Sequence, residues 1–192
     1  MTETLKRGRD RAASLMQPAS DLSYLIDPIG VDAFVSEYWE QKPLVVTRQD
    51  PAYYRHLLTL TDVDHILSTS SVKSANLRVV NKGKETPISE LLQSHPAGVI
   101  TGLELLYERY RAGSTIVLNA LHERWEPLAG LCRSLTNELS AISQVNVYLT
   151  PRSARGLRTH YDMHDVFVLQ IEGSKRWRLF EAPLRLPLAS QP

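Results

Sequence analysis

The sequence has a single cysteine, no long hydrophobic run and no excess of charge of one sign. A lone Cys132 excludes a disulfide framework and a cysteine-type zinc site, so a reducing cytoplasmic compartment is the expected location. Apolar runs such as Val166–Leu169 are too short to cross a membrane. The formal net charge is +1, and no nucleic-acid-binding motif or acidic tail is indicated.

The composition is that of an ordinary globular chain, with 43% hydrophobic and 22% charged residues. Residues 1–20 contain several basic side chains but lack the apolar segment of a secretory signal, which predicts a disordered leader. We therefore expect residues 21–192 to form one folded domain.

The first two thirds of the chain predict helices with a few short strands between them. Apolar residues at helical spacing predict five helices, over 31–40 with Asp32 as its cap, from Asp50, from Thr61 with this residue as its cap, over 103–110, and over 125–139. Short β-branched or apolar runs predict strands over 42–46, 77–80 and 114–119, with a turn at 81–84.

The pattern changes after residue 140, where alternation predicts strands. Residues 144–150 have one apolar face and one polar face, and the polar face carries Asn146, Tyr148 and Thr150. Such a face either meets water or lines a barrel that holds a ligand. Residues 165–171 are apolar on both faces and predict a central strand, which a turn with Gly173 at its first central position joins to a returning strand over 176–180. The fold class is therefore α+β, with N-terminal helices that lead into an antiparallel sheet.

His160 and Asp162 are two residues apart and share a face in an extended segment, so both can reach one metal ion. A histidine and a carboxylate, completed by a second histidine, form the facial triad of non-haem Fe(II) oxygenases. Without further context, a surface histidine beside a solvated aspartate is the better explanation of the pair, because a His-x-Asp sequence often occurs by chance.

The run from His160 to Leu179 resembles the JmjC-like cupins and, within them, the ribosomal oxygenases. That group has His-Tyr-Asp, a Val-Phe strand that ends in Gln, then Glu-Gly, a basic pair and Trp-Arg, and this sequence has them in the same order. Residues 38–46 and 144–151 also resemble the family, so the resemblance covers roughly residues 30–188.

The resemblance implies a cupin sheet (a double-stranded β-helix, or jelly roll) and a role for each matched residue. His160 and Asp162 resemble the first two Fe(II) ligands, and Lys175 resembles the cation that holds the distal carboxylate of the cosubstrate 2-oxoglutarate. The residues that resemble the lining of the cosubstrate pocket are Asn146, Tyr148 and Thr150. From the sequence alone, Lys175 is better explained as a solvated turn lysine. Phe167 and Trp177 are expected to pack in the core and not to contact the cosubstrate.

Other charged residues near the pair have less specific interpretations. His164 is expected in the surroundings of the site or in solvent, because a facial triad needs its third donor from another direction. The loop before His160 departs from the family's Pro-x-Gly-Ser-Gln-Gly pattern and contains Arg152, Arg155 and Arg158. A solvated loop is the preferred interpretation, and an acidic or RNA-bearing partner is the alternative.

The chain is expected to hold an incomplete cupin, truncated before the C-terminal strands. A closed barrel needs about eight strands, and only about 30 residues, enough for two strands, follow Asp162. All six histidines lie at or before position 164, so no residue serves as the third ligand. We expect weak Fe(II) binding and poor turnover by this chain, and the open sheet edges favour a homodimer.

The sequence therefore predicts an Fe(II)- and 2-oxoglutarate-dependent hydroxylase whose substrate is a protein, of the ribosomal type. A catalytically inert cupin fragment that acts as an interaction or dimerisation module is the alternative. A small-molecule oxygenase is a third hypothesis, because a fold does not fix a substrate.

Overall fold

A computed structural model describes residues 20–69, 76–90, 102–152, 154–155, 157–181 and 184 of the chain. The predicted leader, apart from Ser20, lies outside these residues. The helices are α1 Leu22–Ile26, α2 Val31–Glu37, α3 Leu60–Thr69, α4 Leu103–Arg111 and α5 Glu126–Leu139. The strands are β1 Leu77–Asn81, β2 Lys84–Thr86, β3 Thr115–Leu118 and β4 Val147–Leu149, and two short 3-10 helices span Ile88–Glu90 and Leu121–Glu123.

The strands form one antiparallel sheet in the order β2-β1-β3-β4. Lys82 and Gly83 close the β1–β2 hairpin, and both have positive φ, at 48° and 76°. Two consecutive positive φ angles define a type I′ turn, whose twist matches that of the flanking strands. The turn predicted at residues 81–84 is therefore confirmed.

The core lies where helices α1 and α5 pack with the central strands. All four residues of β3 are buried, and Leu77 and Val79 of β1 are at most 1% exposed. Helix α5 contributes a stripe of buried residues at helical spacing, Leu128, Leu131, Cys132 and Leu135. The predicted α+β fold class is thus confirmed, and none of the helices in the described ranges is long and apolar enough to cross a membrane.

Two helix starts differ from the sequence-based prediction. Helix α3 is capped by Thr59, not Thr61: the Thr59 hydroxyl accepts from the Asp62 amide (3.1 Å), and the Asp62 carboxylate accepts from the Thr59 amide (2.8 Å). This reciprocal pair is a capping box. Helix α2 is capped by Gly30, while the predicted cap Asp32 lies in its first turn.

The helix predicted from Asp50 is wrong, because residues 51–57 form successive turns. Tertiary contacts outweigh the helical spacing there. Tyr53 stacks on Tyr24 with ring centroids 4.4 Å apart, and Arg48 lies 4.1 Å from the Tyr53 ring while donating to the carbonyls of Leu25 and Asp27. These bonds satisfy backbone carbonyls at the C-terminal end of α1 and hold the turns against this helix.

Three predicted strands, over 42–46, 165–171 and 176–180, form no strand in the described residues, and the strand predicted over 144–150 shortens to β4. A strand exists only when a partner satisfies its backbone groups. The central position predicted for 165–171 is also wrong, because only one face is covered: Phe167 and Leu169 pack against the core while Val166 and Val168 are exposed. Gly173 has the positive φ (69°) that its predicted turn requires.

Candidate metal and cosubstrate site

The segment that carries His160 is joined to the β1–β2 hairpin through Arg158. A Cβ added at Gly83 would lie 2.3 Å from Arg158 Cγ, so the Arg158 side chain covers the turn directly. The carbonyl of Arg158 lies 2.7 Å from His160 Nδ1. Residue 158 therefore contacts the hairpin through its side chain and the imidazole through its backbone.

His160 and Asp162 are brought together as their spacing predicts. His160 Nε2 lies 3.8 Å from Asp162 Oδ2, and both side chains are about half exposed. Because a carbonyl can only accept, Nδ1 of His160 is the donor to the Arg158 carbonyl. Nε2 is then the ring nitrogen that faces the carboxylate.

The other histidine of this segment, His164, has a different partner: its Nδ1 lies 3.3 Å from the backbone carbonyl of Asp165. In the part of the chain that the structure describes, no group of three or more histidine, cysteine, aspartate or glutamate residues could hold a metal ion. The assignment of His160 and Asp162 as metal ligands stays a prediction, supported by their geometry.

Lys175 and Tyr148, both predicted to contact the cosubstrate, lie close to each other. The Lys175 Nζ is 5.7 Å from the centre of the Tyr148 ring and 4.7 Å from that of Trp177. Partial desolvation lowers the pKa of the Lys175 ammonium. Lys175 therefore has specific contacts with two aromatic faces, unlike a freely solvated turn lysine.

Trp177 was expected to pack in the core, and this expectation is wrong, because its side chain is 53% exposed and lies beside Lys175. The signal in the sequence was its i, i+2 spacing from Lys175, which puts both on one face of an extended segment. Phe167, in contrast, packs as expected, with ring centroids 6.1 Å from Phe34 and 6.2 Å from Trp39.

Asn146 and Thr150 hold β4 to its neighbours. The side-chain oxygen of Asn146 accepts from the Ala120 amide at 3.0 Å, and the Thr150 hydroxyl lies 3.0 Å from that of buried Thr115. These bonds fix the ends of the strand that presents Tyr148. The role of both residues in cosubstrate binding remains a prediction.

Residues 120–191 match the JmjC domain family, and this range contains β4, the His160–Asp162 pair and Lys175. This matched segment of the chain is therefore similar to the JmjC domain.

Its relatives extend the similarity to most of the chain. It is 33% identical to ribosomal oxygenase 2 of Rattus norvegicus over an alignment of 179 residues. This alignment covers 91% of this chain and 37% of that protein. It is 30% identical over 165 residues to the bifunctional lysine-specific demethylase and histidyl-hydroxylase NO66 of Drosophila erecta, over 84% of this chain and 24% of that protein. The chain thus spans about a quarter to two fifths of the length of these relatives.

Proposed function

We propose that this chain is part of an Fe(II)- and 2-oxoglutarate-dependent protein hydroxylase of the ribosomal oxygenase type. The observation that carries the proposal is the geometry of His160. Its Nδ1 donates to a backbone carbonyl and its Nε2 faces a carboxylate two residues on. A metal-binding histidine almost always donates its second ring N–H in this way, because the bond fixes the tautomer and orients the ring.

The donor set fits a first-row divalent metal. Imidazole nitrogen and carboxylate oxygen are ligands that suit iron, and the two donors lie 3.8 Å apart, so a small approach would place both on one ion. Iron bound here with 2-oxoglutarate would supply the oxidative chemistry that hydroxylates a substrate with O₂. The residues of this chain would hold one side of the ion and leave the others open.

Lys175 is the proposed partner of the distal carboxylate of 2-oxoglutarate. Its ammonium lies near both the Tyr148 and Trp177 rings, and this partly desolvated position strengthens the attraction to an anion. Burial lowers the pKa of Lys175, and a bound carboxylate should raise this pKa again.

A protein is the proposed substrate. The relatives include a ribosomal oxygenase and a histidyl-hydroxylase, which supports a ribosomal protein side chain as the target. A small metabolite is the competing substrate. Succinate release measured with ribosomal proteins and with small metabolites would separate the two.

A second candidate function is an interaction or dimerisation module. It is favoured by the exposed apolar side chains of the segment that follows the pair, namely Met163, Val166, Val168, Trp177, Leu179 and Phe180. Patches of this kind often mark protein-binding surfaces. Sedimentation of the purified chain over a range of concentrations would detect self-association.

Metal titration of the purified 192-residue chain tests the proposed function. We expect weak Fe(II) or Mn(II) binding that is lost in His160→Ala and Asp162→Ala, with poor turnover of 2-oxoglutarate to succinate. Lys175→Ala should weaken 2-oxoglutarate binding while metal binding persists. Metal binding that survives both His160→Ala and Asp162→Ala would refute the assignment of the ligands, and robust turnover by the chain would refute the expectation of an incomplete site.

A further inference from the structure

An open cavity of about 580 Å³ lies between the β1–β2 hairpin and Arg158. Three cations line it, Lys82, Lys84 and Arg158, together with two carboxylates, Glu85 and Glu90. The hairpin turn supplies the first cation and β2 the second. The third comes from the loop that leads to His160.

The carboxylates of this cavity are already paired with cations outside its lining. Arg78 donates to Glu85 through two nitrogens at 2.9 and 3.0 Å, and Arg109 lies 3.8 Å from Glu90. Among the described residues, by contrast, the three lining cations form no ion pair. The cavity therefore presents uncompensated positive charge to a ligand.

We propose that this cavity is an anion-binding site that holds an acidic side chain of a peptide beside the His160–Asp162 pair. Arg158 connects the cavity and the pair, since it lines the cavity, its side chain lies against the hairpin turn and its carbonyl accepts from His160. A peptide anchored on Arg158 lies next to the imidazole. The identification of this peptide as the hydroxylation substrate rests on the proposed function, whereas the anion site itself does not.

The ligand class follows from the strand beside the cavity. Lys84, Glu85 and Thr86 of β2 line it, and within the described ranges β2 pairs only with β1. An edge strand of this kind offers backbone N–H and C=O groups to an extended peptide. Nucleic acid would instead require a long basic stripe, but two carboxylates interrupt this compact patch. An acidic peptide is therefore favoured.

The test uses the full chain and a fluorescein-labelled decapeptide of alternating Glu and Gly, with binding followed by anisotropy in the presence of a chelator. We expect Lys82→Gln, Lys84→Gln and Arg158→Gln each to weaken binding about two- to fivefold, as for exposed ion pairs. Arg155→Gln is the matched control, since Arg155 is an exposed arginine of the same loop outside the cavity, and it should leave the affinity about unchanged. Added salt should weaken binding of the parent chain more than that of the variants.

Three results would overturn the proposal: no binding of the acidic peptide, an equal loss in Arg155→Gln, or tighter binding of a labelled decauridylate that depends on the same three cations. Far-ultraviolet circular dichroism establishes that each variant is folded. Because the assay contains neither metal nor 2-oxoglutarate, its outcome is independent of the metal titration. If the chain binds the acidic peptide but no metal, the anion site is supported and only its proposed link to hydroxylation is refuted.

Discussion

Replacing Gly83 by alanine tests whether the β1–β2 turn is built around a residue that has no side chain. Two costs should arise at this position. Gly83 has φ of +76°, which an alanine adopts only with strain, and an added Cβ would lie 2.3–2.9 Å from three atoms of the Arg158 side chain. Arg158 must therefore move to admit even one methyl group.

The magnitudes can be separated because the chain contains matched glycines. Backbone strain from a non-glycine residue at positive φ costs about 1–3 kcal/mol. Gly113→Ala should show this cost alone, since Gly113 has φ of +96° and nothing lies within 4 Å of its added Cβ. Gly83→Ala should exceed it by about 0.5–1.5 kcal/mol, the usual cost of forcing a side chain from its rotamer.

Urea unfolding followed by circular dichroism measures these differences. Gly130→Ala, within helix α5 and with its nearest atom 3.8 Å away, should be stabilising by about 0.5–1 kcal/mol because alanine is the better helix former. The excess cost of Gly83→Ala should disappear in an Arg158→Ala background. A neutral Gly83→Ala, or an excess that persists without the Arg158 side chain, would refute the reasoning.

Two further predictions concern helix α3 and its contact with α4. Thr59→Ala should destabilise the chain by about 1 kcal/mol in urea unfolding, because the capping box is lost. The control Thr61→Ala changes an exposed residue and should be nearly neutral. The reverse order of the two effects would show that Thr61 is the cap. Tyr107 donates to Asp64, and burial together with this bond raises the pKa of Tyr107 from 10.0 to about 12. The stabilisation from the raised pKa of Tyr107 is therefore complete below pH 10 and is lost as the pH rises toward 12. Tyr107→Phe should flatten the pH dependence of the free energy of unfolding between these values. An unchanged pH dependence in this variant would contradict the prediction.

The parts of the fold that the sequence predicted correctly depend on local chemistry. The hairpin turn follows from a glycine that accepts positive φ, and helix α5 follows from four apolar residues at helical spacing with Pro127 in its first turn. The closeness of His160 and Asp162 also comes from spacing alone, because two residues in an extended segment share a face.

The sequence-based errors occur where a distant partner decides the conformation. The spacing at 50–58 favours a helix, yet stacking on Tyr24 and bonds from Arg48 fix turns instead. Residues 165–171 and 176–180 have the side-chain pattern of strands, but strand formation needs a second backbone to satisfy N–H and C=O groups, and a side-chain pattern cannot supply it.

For the site, the sequence by itself determined that the donors His160 and Asp162 are near each other and that the cation Lys175 lies on the turn that follows them. Only the tertiary structure decided what surrounds them. The Arg158 side chain covers a turn formed far earlier in the chain, and its carbonyl orients His160. Lys175 lies over the Tyr148 ring of β4, and the cations of the hairpin cavity come together. These are contacts between segments remote in sequence, which periodicity does not encode because it describes each segment alone.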